Sequence, residues 1–215
     1  MEHDAAIYKK GGFDVEDVNT WNQSHGGLAN YPHADEVERE DPARYMERDM
    51  DVLIPAAVEK SIHRENAGNI KAKIIGEAAN GPTTVMAEKI LLDNNKLIIP
   101  DMVLNGGGVT VSYFEWLKNI SHVVPGRLTK RFDEQSRRNL FEMIQGEKFD
   151  SEKQDQIRGA SERDIVYSGL EEIMCKTIDE NWASAEKYNN NMRIAAHVIA
   201  IERVAKAYEH CGLLI

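Results

Sequence analysis

Residues 97–116 read LIIPDMVLNGGGVTVSYFEW, and the parsing of this stretch decides the fold. An apolar β-type run, Leu97-Ile98-Ile99, is closed by Pro100. A short link, Asp101 to Leu104, leads to Asn105-Gly106-Gly107-Gly108, and an apolar stretch from Val109 to Leu117 is long enough for a helix. Three successive glycines permit φ > 0 and leave no Cβ to hold a flat ligand away. Backbone N–H groups at the start of the next helix favour a polar or anionic group at the same point. Asn105 adds an amide suited to another amide. A strand ending in such a turn is where open α/β sheets bind ligands. A glycine-rich helix entry with no ligand is the other reading of the same residues.

Two similar runs precede this one. Val52-Leu53-Ile54 ends in Pro55-Ala56-Ala57, and a run from Ala72 to Ile75 leads into Gly76-Glu77-Ala78-Ala79-Asn80-Gly81-Pro82. Short continuous apolar runs fit strands buried on both faces of a parallel sheet. Residues 57–67 are helix-compatible and stop at Gly68-Asn69; Thr83 or Thr84 opens a second helix through about Asp93. Together they predict a βαβαβ unit with right-handed crossovers. All three strand ends then lie on one edge, and that convergence favours a ligand site over a purely structural turn.

The rest of the chain frames this unit. Asp14 reads as an N-cap, with Val15, Val18 and Trp21 on one helical face and Gly26-Gly27 past its end. Residues 32–48 are acidic and lack periodicity, as expected of a loop with one helical turn. Residues 127–158 are strongly charged, with Phe132, Leu140, Phe141 and Ile144 as apolar anchors, and read as a helical excursion. Ser161 and Asp164 resemble a capping box. Val166, Leu170, Ile173, Thr177 and Asn181 form one stripe, and Ile194, Val198, Ile201, Ala205 and Tyr208 another after the Asn189-Asn190-Asn191 break. Both stripes are expected to pack on the sheet or on a neighbouring subunit.

Composition narrows the function. Across 215 residues, 42% are hydrophobic and 29% charged, as in a globular protein with one sizeable core. A net charge of −10 argues against a nucleic-acid partner. No apolar run approaches the length of a membrane span, and the first residues, MEHDAAIYKK, have neither signal-peptide nor transit-peptide character. Cys175 and Cys211 stand alone, and the seven histidines show no metal or triad spacing. The acidic residues from Asp35 to Asp41 lack the spacing of a calcium loop. Glu115 and Lys118, three apart on one helix, fit a solvated pair.

Three segments carry a family resemblance: Asp51-Val-Leu-Ile-Pro-Ala-Ala57, Ala79-Asn-Gly-Pro-Thr-Thr84, and Leu104 to Asn119. With them the chain resembles the C-terminal, nucleotide-binding half of animal-type glutamate dehydrogenases, in the Glu/Leu/Phe/Val dehydrogenase family. The resemblance implies an α/β fold: an incomplete Rossmann-like parallel sheet of about three strands, a shortened helical hairpin excursion, and C-terminal helices. The implied divisions are 1–119, 120–160 and 161–215. It also implies oxidative deamination of L-glutamate to 2-oxoglutarate and ammonia with NAD or NADP, in a homohexamer. The mitochondrial matrix is the expected compartment, the cytoplasm the alternative.

By position, Asn80 and Asn105 would contact the nicotinamide, with Gly107 in the same turn. Ala56 and Ala57 would line the cofactor's path, Ser112 would reach the substrate carboxylate, and Glu2 would hydrogen-bond the adenosine ribose at the end of a strand. Tyr167 and Lys176 stand where animal enzymes carry a histidine and an arginine of nucleotide-regulatory sites. The family's G-x-G-x-x-G turn, and its catalytic lysine and aspartate, have no counterpart in the chain. Lys10-Gly11-Gly12 aligns with a loop instead. The expectation is that the chain alone is catalytically incomplete, with the remaining parts encoded upstream or carried elsewhere. A truncated, non-catalytic paralogue that associates with intact subunits is the alternative. Missing the first strand, the Val52–Ile54 run should leave an open, association-prone edge.

Overall fold

The computed structural model describes residues 1–121, 130–145 and 160–211. The chain forms two compact units, Met1–Asp101 and Met102–Ile215.

In the first unit, β1 (Ala6–Tyr8) pairs antiparallel with β2 (Glu36–Glu38), and α1 (Val15–His25) lies between them in sequence. The Asp14 carboxylate accepts the N–H groups of Glu16 and Asp17, and Gly26 closes the helix at φ 71°, as the sequence predicts. The ribbon itself was not expected. It is built from three-residue strands, too short to show an alternation, and β2 falls in a segment read as loop.

A separate three-stranded parallel sheet has the order β3 (Val52–Leu53), β4 (Ile74–Gly76), β5 (Leu97–Ile99). Leu53, Ile75 and Ile98 stand in register across it. Against this row pack Ala87 and Leu91 of α2 (Val85–Asp93) and Ile62, Ala67 and Ile70 of the first crossover. Leu91, Ile62 and Ile70 each stabilise by about 1.5–3 kcal/mol on burial. The other face is open within this unit: Val52 is 49% exposed, with Ile74 and Leu97 half-buried. Burial of these runs on both faces is therefore not met by the described residues. Among them no strand pairs with the outer edge of β3.

The predicted helix over 57–67 does not form. Lys60 takes φ 55°, a left-handed conformation that a right-handed helix excludes. The Asn66 side chain donates to Ser61 O and accepts from His63 N, both at 2.8 Å, so it competes for the groups a helix would use. Ile62 instead bridges in parallel to Thr83, and one 3-10 turn, Ala67–Asn69, completes the crossover. The second crossover matches expectation: Thr84 caps α2 by accepting from Ala87 N.

The Asp-Met-Val-Leu link, which starts on the last residue of the first unit, is helical, α3 (Asp101–Leu104), and α4 (Gly107–Ser121) follows in the second unit. None of Gly106, Gly107 and Gly108 has positive φ, so the turn needs no left-handed residue, contrary to the expectation. Next come α5 (Lys130–Gln145), α6 (Glu162–Lys187) and α7 (Met192–Cys211). Much of the predicted excursion, 122–129 and 146–159, lies outside the described residues. The Ser161–Asp164 capping box is present.

Helices α4 and α6 pack closely at glycines. A Cβ on Gly107 would lie 3.5 Å from Leu170 Cδ1, and one on Gly169 3.3 Å from Phe114 Cζ. Lys118 pairs with Glu162 across the same contact. Buried Asn181 donates to Met192 O at 3.1 Å, tying α6 to α7. The packed face of α7 holds Met192 and Ala195, whereas Ile194, Ile201 and Tyr208 of the predicted stripe are exposed.

Candidate functional site

The carboxyl ends of β3, β4 and β5 are tied into one platform. Pro55 O accepts the N–H groups of Ala78 and Ala79, at 3.1 and 2.9 Å. Glu77 N donates to Ile99 O at 3.1 Å. The Glu77 carboxylate, fully buried, accepts Asp101 N at 3.0 Å. The Asp101 carboxylate in turn accepts Gly81 N at 2.8 Å. Beyond the sheet, Lys60 N donates to Gly81 O and Ile62 N to Pro82 O, at 2.9 and 2.8 Å. Gly81 itself sits at φ 54°, a conformation open to glycine at little cost.

Ala56, Ala57 and Asn80 are exposed on this platform. Their neighbours Pro55, Ala79 and Gly81 are held by these bonds while the three residues themselves are exposed, which suits a flat or extended ligand crossing the strand ends. The amide of Asn80 offers a donor and an acceptor together. Asp51 and Lys73 form an exposed ion pair at 2.8 Å near the opposite, amino-terminal ends; the Lys73 ammonium holds the Asp51 carboxyl below its ordinary value.

Glu2 lies outside the parallel sheet. It precedes β1 rather than ending a strand, and its exposed carboxylate accepts from Asn22 Nδ2 at a long 3.4 Å. The fixed carboxylate of this segment is that of Asp4. It accepts Leu28 N and Ala29 N at 3.1 and 2.9 Å, which hold its pKa down. Gly27 leaves the room: a Cβ there would meet Asp4 Oδ2 at 2.3 Å.

Asn105, Gly107 and Ser112 belong to the second unit. Asn105 is half-buried between α3 and α4. The missing side chain of Gly107 faces Leu170 and Met174 of α6, so any ligand contact there is made by its backbone. Ser112 is exposed and its hydroxyl donates to Gly108 O at 3.1 Å; it must rotate to donate to a ligand. Among the described residues no cluster of His, Cys, Asp or Glu could hold a metal ion, and no helix is long and apolar enough to cross a membrane. Lys10 N donates to the Asp35 carboxylate at 2.9 Å in a turn beside β1.

The sequence reading missed Glu77, Asp101 and Lys60. An acidic residue directly after an apolar strand, and another directly after Pro100, were the available signals for the first two. Nothing local marked Lys60.

Comparison with known proteins places the chain in a family. The family model described as Glutamate/Leucine/Phenylalanine/Valine dehydrogenase matches residues 1–162. The mitochondrial glutamate dehydrogenase of Dictyostelium discoideum is 43% identical, over 98% of this chain and 42% of its own length. The glutamate dehydrogenase of Thermotoga maritima is 37% identical, over 96% of this chain and 40% of its own. The chain thus spans about two fifths of these relatives. In fold it is similar to the hetero-hexameric glutamate dehydrogenase of Thermus thermophilus, with a TM-score of 0.70 at 23% identity, covering 97% of this chain and 40% of that one. With these matches, the chain belongs to the Glu/Leu/Phe/Val dehydrogenase family.

Proposed function

We propose that this chain is the cofactor-binding part of a glutamate dehydrogenase, which oxidatively deaminates L-glutamate to 2-oxoglutarate and ammonia with NAD or NADP. The observation that carries the reading is the platform, where three parallel strand ends are locked together and Ala56, Ala57 and Asn80 stay open. The small side chains of Ala56 and Ala57 let an extended ligand lie close to the backbone, and their fit to such a group supports a dinucleotide. When bound, the nicotinamide takes up a hydride from the amino acid.

The chain's own residues bind and orient. Asn80 would hold the nicotinamide carboxamide by a donor–acceptor pair and so orient the ring. By the family resemblance, Asn105 and the Gly107 backbone of the second unit would also take part in cofactor binding. The Ser112 hydroxyl rotates from Gly108 O to donate to the substrate carboxylate. Glu2, loosely held and exposed, accepts the ribose hydroxyls of the adenosine. The relatives' names favour glutamate as substrate, and the Dictyostelium enzyme's name favours a mitochondrial location. The hexameric Thermus neighbour supports an oligomer. The oligomer forms with further copies or with intact subunits.

The test is Asn80→Ala in the native polypeptide as isolated from its source. Loss of one amide pair raises KM for the cofactor about ten-fold or more, with the melting temperature measured alongside so that the loss is read on folded protein. An unchanged KM contradicts the assignment.

A further inference from the structure

Asn80 is an exposed residue whose neighbours on both sides are held. On one side Ala79 N is bound by Pro55 O at 2.9 Å. On the other, the Gly81 N–H is bound by the Asp101 carboxylate at 2.8 Å, and Gly81 O accepts from Lys60 N at 2.9 Å. Gly81 stands in the left-handed region at φ 54°, and Lys60, not a glycine, at φ 55°. The Lys60 conformation persists only where surrounding bonds over-determine it, whereas Gly81 takes its own at little cost. Pro82, fully buried, anchors the chain directly after the turn.

Asp101 is itself anchored. Its backbone N–H donates to the buried Glu77 carboxylate at 3.0 Å, and Glu77 N is bound to Ile99 O. A relay therefore runs from the end of β5 through Glu77 and Asp101 to Gly81, the residue after Asn80. The final link is a charge-assisted hydrogen bond to a backbone amide, stronger than a neutral one. It crosses from the end of one strand to the turn after its neighbour, so it sets where Asn80 stands relative to the sheet.

We propose that Asp101 is a positioning residue for the nicotinamide contact: by holding the Gly81 amide it fixes the turn from which the Asn80 amide reaches the ring. This rests on the assignment of Asn80 to the nicotinamide. Asp101 touches neither cofactor nor substrate; it acts through Gly81 and Asn80.

The experiment compares wild type, Asp101→Ala and Asp101→Asn in the native polypeptide. It measures affinity for NAD+ and NADP+, affinity for ADP-ribose (NAD+ without its nicotinamide), and amide exchange at Gly81. Asp101→Ala is expected to speed Gly81 exchange and weaken dinucleotide binding about ten-fold, with ADP-ribose binding unchanged. Asp101→Asn, whose carbonyl oxygen still accepts from Gly81 N–H, restores most of the loss. If the alanine variant fails to fold, Asp101→Ser takes its place, since its hydroxyl is a bond too short to reach Gly81. Equal losses for dinucleotide and ADP-ribose, or no loss for either, overturn the positioning role and leave the Asn80 assignment standing. Failure of the wild type to bind either dinucleotide overturns that assignment, and the positioning role with it.

Discussion

The glycine turn that opens α4 gives a sharp test, because two explanations of Gly107 differ in sign. If the glycine keeps a ligand face clear, any side chain there blocks the ligand. The structure points the missing side chain the other way: a Cβ would lie 3.5 Å from Leu170 Cδ1 and 3.9 Å from Met174 Sδ, both ordinary contacts. Gly107→Ala then adds one half-buried methyl group, worth about 0.4 kcal/mol, half of a fully buried one. Reduced freedom of the unfolded chain adds about 0.4–1 kcal/mol, so stability rises by about 1 kcal/mol. For a protein of this size that raises the melting temperature by about 2–4 °C. Gly107→Val extends a further bond of about 1.5 Å towards Leu170 and overpacks the α4–α6 contact, at a cost of about 1–3 kcal/mol. Calorimetric melting, paired with NAD+ titration of the folded protein, reads both quantities. Dinucleotide affinity is expected to be unchanged by alanine. A ten-fold loss of affinity with no rise in melting temperature refutes the packing explanation.

Leu91, fully buried in the core of the first unit, is expected to cost about 3 kcal/mol on truncation to alanine, measured by urea unfolding. Tyr31 donates to the Asp17 carboxylate at 2.5 Å, and that bond pushes its pKa up from 10.0 to about 12. A raised pKa means its stabilisation is complete below pH 10 and fades as pH climbs through about 12, so Tyr31→Phe should flatten the alkaline limb of the stability profile. Asp4 has the opposite sign. Its pKa is lowered from 3.8 by the Leu28 amide, so its contribution is complete above that value and is lost as pH falls through the lowered one; Asp4→Asn should flatten the acid limb. Ser161→Ala removes the α6 cap and is expected to cost about 1 kcal/mol, visible as faster amide exchange in the first turn of that helix.

The features legible in the sequence were those set by neighbours in the chain. Asp14, Thr84 and Ser161 cap helices whose first turns follow them directly, and Leu97-Ile98-Ile99 declares a strand by composition. What stayed hidden depends on partners distant in sequence. Residues 57–67 hold good helix formers, yet the parallel bridge of Ile62 to Thr83 and the left-handed Lys60 override local preference. The β1–β2 ribbon exists only through pairing of Ala6–Tyr8 with Glu36–Glu38. The direction of Gly107 is decided by Leu170, on another helix. At the candidate site, the exposed Ala56, Ala57 and Asn80 could be named in advance, but the Glu77–Asp101–Gly81 relay beneath them is a tertiary arrangement of backbone amides and carboxylates. No spacing in the sequence encodes it.

The central claim is that the platform serves a dehydrogenase acting on glutamate. The most direct measurement is amino-acid-dependent reduction of NAD+ and NADP+ by the native polypeptide isolated from its source, with glutamate, leucine, phenylalanine and valine offered in parallel. The account predicts reduction with glutamate that falls sharply on Asn80→Ala and responds weakly to the other three. Turnover that prefers leucine, phenylalanine or valine, or a native polypeptide that binds neither dinucleotide, would contradict it.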